Sequence, residues 1–74
     1  MKSFDVWMEG YRVMEGSGTA KFYGTYAAES FPEACKQAMI DHKMYGDGFY
    51  NSEENTYWGC NFYDNERDAR KYFG

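Results

Sequence analysis

The side chains able to perform nucleophilic or acid–base chemistry are few in this chain of 74 residues. His42 is the only histidine, and Cys35 and Cys60 are the only cysteines. A nucleophilic Cys60 would need a base within hydrogen-bonding distance, and His42 is the only side chain of a type that titrates near neutral pH. We expect instead that Cys60 is a buried apolar thiol and that His42 packs on a helix. A small enzyme or ligand sensor that uses Cys60 and His42 is retained as an alternative.

Ligands for a metal or a phosphate group are equally sparse. The sequence contains no C-x-x-C and no H-x-x-x-H motif, so it does not predict a zinc site. Asp47, Glu53 and Glu54 do not have the spacing of an EF-hand, and a solvated loop explains them better. The glycines in EGSG and GDG lack the spacing of a P-loop or a dinucleotide-binding turn. We therefore predict no catalytic residue, no metal and no cofactor.

Charge and hydropathy narrow the classes of partner. The net charge of −4 disfavours nucleic acid and anionic membranes as partners. Aromatic residues on a sheet can stack on single-stranded bases, but this sequence lacks the basic groove that accompanies them. No run of apolar residues approaches the roughly 20 that a membrane span requires. We expect a cytoplasmic protein with reduced cysteines, and one Cys35–Cys60 disulfide is the less favoured alternative.

Aromatic residues must supply most of the core, because leucine is absent from the sequence. The chain has two Trp, eight Tyr and six Phe residues. Each large ring can bury roughly 150–250 Å², so a small domain can be built from few of them. The length predicts one domain, residues 1–74, without room for a large catalytic cleft.

Alternation of apolar and polar residues predicts three strands. Residues 4–13 and 19–28 carry two of these patterns, and the glycine-rich segment 14–18 between them predicts a hairpin turn. The third pattern covers residues 56–63 and follows a polar segment, 47–55, that predicts a loop.

Capping residues predict two helices. Ser30 and Glu33 have capping-box spacing, and Gly46 is positioned to end the helix that they begin. The apolar stripe of this helix consists of Phe31, Ala34, Cys35, Ala38, Met39 and His42. Asn65 is the expected N-cap of a second helix over residues 66–73.

The element order β-β-α-β-α predicts an α+β fold. Right-handed crossover connections place the third strand beside the first, which gives a three-stranded antiparallel sheet in the order 2-1-3. The crossover helix covers one face of this sheet, and a short C-terminal helix completes the chain. The face below the crossover helix is expected to carry Phe4, Val6, Met8, Phe22, Trp58, Cys60 and Phe62. The opposite face is expected to carry Trp7, Tyr11, Tyr23, Tyr57 and Tyr63.

An aromatic second face is unusual, because a small sheet with one packed face normally has polar residues on the other. One explanation is that the C-terminal helix folds over part of this face, or that the tyrosines pair across strands with their hydroxyls in water. The functional explanation is an interface, since Tyr and Trp are enriched at binding hot spots. We therefore predict a noncatalytic protein-interaction module that binds an unknown protein partner, or a second copy of itself, through this aromatic face.

Three short segments resemble a known group of proteins. The segments FDVWMEGY, SFPEAC and YWGCNFYDNERDARKYFG are similar to small proteins from phages and integrated elements of gut bacteria. That group shares a W-x-E-G-Y strand and a W-G-C, D-N-E, A-R and F-G ending, and no activity is known for it. The resemblance implies a compact acidic protein that binds a host protein or a defence complex, or a component of a phage particle. Its acidic surface would include Asp47, Glu53, Glu54, Asp64 and Glu66.

Overall fold

Five strands form one antiparallel sheet in this computed structural model, which describes residues 1–13 and 16–72, without the side chains of residues 13, 16 and 17. In chain order the elements are β1 (Lys2–Met8), β2 (Tyr11–Val13), β3 (Gly16–Gly18), β4 (Lys21–Ala28), α1 (Phe31–Asp41), β5 (Tyr50–Asn51), β6 (Thr56–Tyr57), β7 (Cys60–Tyr63) and α2 (Glu66–Ala69). The sheet has the order β4-β1-β7-β6-β5, and β2 pairs with β3 in a separate hairpin. With two helices, the class is α+β.

The predicted three-stranded sheet is wrong, because several segments fold differently from their expected elements. The predicted loop 47–55 contributes the edge strand β5. The segment 56–63, expected to be one strand, is a hairpin of β6 and β7 that turns at Trp58 and Gly59. The first predicted strand, 4–13, also breaks after Met8, and its last residues pair as β2 with β3. The predicted turn 14–18 therefore contains β3, while residues 14 and 15 lie outside the described part of the chain.

Helix α1 begins as the capping residues predict and ends earlier than Gly46. The Ser30 hydroxyl accepts a hydrogen bond from the Glu33 N–H at 3.4 Å. The helix ends at Asp41, and Lys43 then adopts a positive φ of 61°. The Met44 N–H donates to the Met39 carbonyl at 2.7 Å, and the Lys43 N–H donates to Ile40 at 3.1 Å. These two bonds form a Schellman motif with lysine in the position that glycine usually occupies.

The core lies between α1 and one face of the sheet. Its buried members are Val6, Tyr23, Ala28, Ala34, Cys35, Ala38, Met39 and Phe62. Cys35 and Met39 are fully buried on α1, opposite Val6 of β1, which lies between β4 and β7. The apolar stripe predicted for the helix therefore does cover the sheet, apart from His42, which is exposed at the C-cap.

A β-bulge in β4 reverses the alternation that the sequence suggests. Val6 pairs with Gly24 and Trp7 pairs with Phe22, so Tyr23 is an extra residue in β4. The bulge turns Tyr23 into the core and Phe22 to the opposite face, where its ring lies 5.0 Å from Trp7. Gly24 has a φ of 137°, which L side chains rarely adopt. The faces predicted for Phe22 and Tyr23 are therefore wrong.

Helix α2 packs against β7 and β1 on the face opposite α1. Asn65 caps it as predicted, because its side chain accepts a hydrogen bond from the Asp68 N–H at 2.8 Å. The helix ends at Ala69 instead of continuing to residue 73, which lies outside the described residues. Ala69 is buried, and the Arg70 guanidinium lies 5.5 Å from the centre of the Trp7 ring. Neither helix in the described ranges is long and apolar enough to cross a membrane.

Candidate functional site

The five aromatic residues predicted to share one sheet face do not share it. Trp7 and Tyr63 pair with each other on the face that α2 partly covers. Tyr23 is in the core, and Tyr57 packs against the core from β6. Tyr11 lies in the β2–β3 hairpin, outside the main sheet. The prediction of a single aromatic face is wrong because the bulge at Tyr23 and the turn after Tyr57 each change the direction of the side chains.

Trp58 is the exposed aromatic residue with the most unusual backbone. Tyr57 pairs with Cys60, so Trp58 and Gly59 form a two-residue turn between β6 and β7. Both turn residues have positive φ, 53° for Trp58 and 80° for Gly59, as a type I′ turn requires. Asn, Asp or Gly is strongly preferred at these positions. The Trp58 side chain was predicted to be in the core, and it is 60% exposed instead.

Three exposed rings meet at this turn, and we call them the aromatic ridge: Tyr11, Phe49 and Trp58. The Tyr11 and Trp58 rings are 6.5 Å apart at 87°, and the Phe49 and Trp58 rings are 6.2 Å apart at 90°. Tyr11 is 41% exposed and Phe49 is 50% exposed. Edge-to-face contacts of this kind fix the rings relative to one another without burying them.

Backbone and side-chain contacts hold the ridge in place. The Trp58 N–H donates to the Phe49 carbonyl at 2.9 Å. Asp47 accepts a hydrogen bond from the Phe49 N–H at 3.0 Å, and its other oxygen accepts a short hydrogen bond from the Tyr57 hydroxyl. This bond to Asp47 is the main reason why the pKa of Tyr57 is raised to about 12. Asp47, predicted as part of an acidic surface, therefore supports the ridge.

Glycine at residue 18 allows Tyr11 to take its position. Tyr11 pairs with Gly18 in the β2–β3 hairpin. A Cβ atom at Gly18 would lie 2.3 Å from Cε1 of Tyr11, so any other residue would displace the ring. The hairpin therefore presents Tyr11 towards the Trp58 turn only because this position lacks a side chain.

A groove of about 390 Å³ lies beside the ridge. Its lining consists of Glu9, Gly10, Tyr11, Arg12, Trp58, Gly59 and Cys60. These residues come from the end of β1, the start of β2 and the turn between β6 and β7. The E-G-Y part of the W-x-E-G-Y motif and the whole W-G-C motif therefore meet in one place, although about fifty residues separate them in the chain.

Glu9 is a nearly buried carboxylate in this groove, with 9% of its surface exposed. Its Oε2 atom accepts hydrogen bonds from the Asn61 backbone N–H at 2.7 Å and from Asn61 Nδ2 at 2.9 Å. The Glu9 N–H donates to the Asn61 carbonyl at 3.0 Å. Oε1 accepts no hydrogen bond from any residue that the structure describes, and it is not sealed from solvent.

The burial of Glu9 was not predicted from the sequence. The available signal was the glycine that follows it. Gly10 is buried and lies between β1, which ends at Met8, and β2, which begins at Tyr11. A glycine inside a strand pattern often marks such a break in the strand.

The thiols and the histidine do not form a nucleophilic pair in the described part of the chain. Burial raises the pKa of the Cys60 thiol, and the Glu9 carboxylate raises it further. Burial raises the pKa of Cys35 to about 11. His42 Nε2 lies 2.8 Å from the Tyr23 carbonyl oxygen, and no hydrogen bond joins the histidine to either cysteine. Both cysteines are free and buried, which favours neutral thiols over reactive thiolates.

The remaining residues of the predicted acidic surface form hydrogen bonds or an ion pair with residues nearby in the sequence. Glu53 and Glu54 follow β5, where their N–H groups donate to the Asn51 side chain at 3.0 and 3.1 Å. Asp64 accepts from Asn65 at 2.8 Å, and Glu66 forms an ion pair with Arg70 at 2.7 Å. Among the described residues, no group of three or more acidic, histidine or cysteine side chains could hold a metal ion.

Comparison of the chain with protein-family models, with curated proteins and with solved structures finds no match.

Proposed function

We propose that this chain is a small noncatalytic protein-interaction module that binds a protein partner through the aromatic ridge of Tyr11, Phe49 and Trp58. The observation that carries the proposal is the conformation of Trp58. A left-handed backbone costs a residue with a side chain about 1–2 kcal/mol. In Trp58 this cost is not offset by burial, since 60% of the residue is exposed. Strain at an exposed aromatic residue is typical of a binding position.

The shape of the ridge also suits a binding surface. Its rings stand nearly perpendicular to each other, and the adjoining groove offers about 390 Å³ beside them. Aromatic anchors beside a concave pocket are typical of interface hot spots. Of the five residues that sequence reasoning selected, the proposal retains Tyr11 as part of the binding surface. Trp7, Tyr23, Tyr57 and Tyr63 have structural contacts that explain them without a partner.

Two features support a noncatalytic role in the cytoplasm. The thiol of Cys60 has a raised pKa, which disfavours a thiolate nucleophile. Two free buried cysteines are typical of a reducing compartment. The resemblance to small proteins of phages and integrated elements supports an origin on a mobile element, with a host or phage protein as the partner.

The test is affinity capture from cells that naturally contain the protein, with Trp58→Asn as the deciding variant. Asparagine suits the first position of a type I′ turn, so this change removes the ring while preserving the turn. We expect proteins captured by the wild type to be lost with Trp58→Asn and kept with Phe22→Ala. Phe22 is the matched control, because it is an exposed ring on the face away from α1. Equal capture by wild type and Trp58→Asn would contradict the proposal.

Self-association is the alternative use of the same surface. Light scattering over a range of concentrations separates the two, because a foreign partner leaves the purified chain monomeric. We expect the mass of a monomer at every concentration. A dimer that dissociates on dilution and disappears in Trp58→Asn would instead make the ridge an interface between two copies of this chain.

A further inference from the structure

We infer that the groove beside the ridge receives the ammonium group of a lysine side chain from the partner, with Glu9 Oε1 as its hydrogen-bond acceptor. The inference rests on the proposed function and names the chemistry that the partner presents. Three properties of the groove carry it: the pairing of the Glu9 carboxylate, the number of free acceptor atoms and the arrangement of the rings.

Burying a carboxylate is unfavourable unless each oxygen finds a hydrogen-bond donor or a cation. At Glu9 the two donors from Asn61 both reach Oε2. Oε1 is left without a donor among the described residues, on a side chain that is more than nine-tenths buried. Oε1 remains accessible to solvent and Glu9 lines the groove, so a cation bound in the groove can replace water as the partner of Oε1.

The single available oxygen distinguishes between the two common cations of proteins. A guanidinium group pairs best with a carboxylate through two parallel hydrogen bonds, one to each oxygen. Oε2 already accepts two hydrogen bonds, so a bidentate pair would displace Asn61. An ammonium group is a compact charge that needs one acceptor oxygen, and its four-carbon stem can reach a recessed carboxylate.

The rings favour the same ligand. Tyr11 and Trp58 line the groove together with Glu9. Aromatic rings attract cations at their faces, and tryptophan does so most strongly. The apolar stem of a lysine can also pack along the rings while its charge reaches the carboxylate. Glu9 would supply the specific contact, and the rings would supply the apolar wall.

Arg12 is the other charged residue that lines the groove, and its positive charge disfavours the binding of more than one cation there. Arg12 is exposed. The net charge of −4 still attracts a basic partner at long range. The partner surface that fits best therefore presents one lysine, with an acidic or neutral neighbour facing Arg12.

The test is a titration of the full chain with Nα-acetyl-lysine N-methylamide, followed by NMR at the Glu9 and Asn61 amides and the Trp58 indole N–H. The matched probes are the norleucine analogue, which has the same stem without the charge, and the arginine analogue. We expect the lysine probe to bind about tenfold more tightly than norleucine, since a hydrogen bond to a charged group is worth about that factor or more. We expect arginine to bind more weakly than lysine.

The deciding variant is Glu9→Gln. Its side-chain oxygen can still accept from Asn61, so the fold is expected to persist, which the NMR spectrum itself checks. We expect lysine binding to weaken about tenfold in Glu9→Gln. In Trp58→Asn we expect a loss of about threefold, the size of a cation–π contact at an exposed site. Equal binding of lysine and norleucine to the wild type, or unchanged lysine binding in Glu9→Gln, would overturn the inference.

Failure here is distinguishable from failure of the proposed function. If lysine and norleucine bind alike while Trp58→Asn still loses the captured proteins, the ridge is an interface and the lysine assignment is wrong. If Glu9→Gln loses lysine binding but keeps every captured protein, the groove binds an ammonium group that the partner does not supply, and the inference is again wrong. If Glu9→Gln loses both lysine binding and the captured proteins, the lysine inference is supported.

Discussion

The two tryptophans of this protein occupy opposite kinds of environment. Trp7 lies in the interior strand β1, pairs with Phe22 and Tyr63, and has the Arg70 guanidinium 5.5 Å from its ring centre. Trp58 lies in a two-residue turn between β6 and β7, and its ring contacts with Tyr11 and Phe49 are nearly perpendicular. The backbone of Trp7 is regular strand, whereas that of Trp58 has a φ of 53°.

This difference indicates that the Trp7 ring stabilises the fold, whereas the fold holds the Trp58 ring exposed to solvent. Trp7 has strand neighbours on both sides and α2 above it, so burial and cation–π contact explain its size. Trp58 lies in a strained conformation and is largely exposed, so stability does not explain it. This contrast predicts that substitution of Trp7 lowers stability, whereas substitution of Trp58 leaves stability nearly unchanged and removes binding.

The largest effect is expected for Trp7→Ala. Removing a large, partly buried aromatic side chain should lower the free energy of unfolding by about 3 kcal/mol. Urea denaturation of the purified variant measures this loss. Phe22→Ala is the control, and we expect it to lose less than half as much because Phe22 is 46% exposed. Equal losses of unfolding free energy in the two variants would mean that Trp7 contributes no more packing than Phe22.

The cover over Trp7 can be weakened separately by Asn65→Ala. Removing the N-cap side chain of a helix costs about 1 kcal/mol, and α2 is short enough to depend on it. We expect the Trp7 fluorescence to shift to longer wavelength when it is measured in a Trp58→Phe background. Asn65→Ser preserves a capping oxygen without adding a charge beside Asp64 and Asp68, so it should leave the stability and the Trp7 fluorescence closer to those of the wild type. An unshifted spectrum in Asn65→Ala would show that α2 does not shield Trp7.

The turn that presents Trp58 can be tested at its second residue. Gly59 has a φ of 80° and open space around its missing Cβ, so Gly59→Ala isolates the backbone effect. We expect a loss of about 1 kcal/mol in urea denaturation, the cost of the left-handed conformation for alanine. Gly46→Ala is the matched control, since Gly46 also has open space and its φ is not positive. A neutral Gly59→Ala would argue against a type I′ turn.

The support below the ridge has a smaller, pH-dependent signature. The hydrogen bond to Asp47 raises the pKa of Tyr57 from its ordinary value of 10.0 to about 12. Because the folded state holds this proton more tightly, the contribution to stability is complete below pH 10 and is lost as the pH rises towards 12. Phenolate absorbance should show Tyr57 losing its proton at a lower pH in Asp47→Asn than in the wild type. Tyr26, whose pKa burial and Asp41 raise to about 12, should be unaffected.

Sequence patterns predicted where both helices begin, because the capping signals are local, but not where they end. Ser30 and Asn65 cap the two helices through contacts only three residues long. The alternation of Phe4, Val6 and Met8 likewise predicted the inner face of β1, which is one continuous strand over that stretch. These patterns were sufficient for the α+β class and for the position of α1 over the sheet.

The candidate site was not predictable in the same way. The bulge at Tyr23 is defined by pairing with β1, and nothing in the KFYGTY segment alone reveals it apart from Gly24. Trp58-Gly59 was not recognised as a turn, because tryptophan is a typical strand residue and an unusual first residue of a type I′ turn. The groove itself brings together residues 9–12 and 58–60, a long-range contact that alternation does not encode.

The most direct test of this account is the stability of Trp58→Asn, measured by urea denaturation against the wild type. Asparagine loses the ring contacts of Trp58, which lowers stability, but it suits the left-handed turn position, which raises stability, so the two changes nearly cancel. We predict a free energy of unfolding within about 0.5 kcal/mol of the wild type, the usual range for a surface substitution. A loss of about 2 kcal/mol or more, typical of a truncated core side chain, would make Trp58 a structural residue and contradict its assignment to a binding surface.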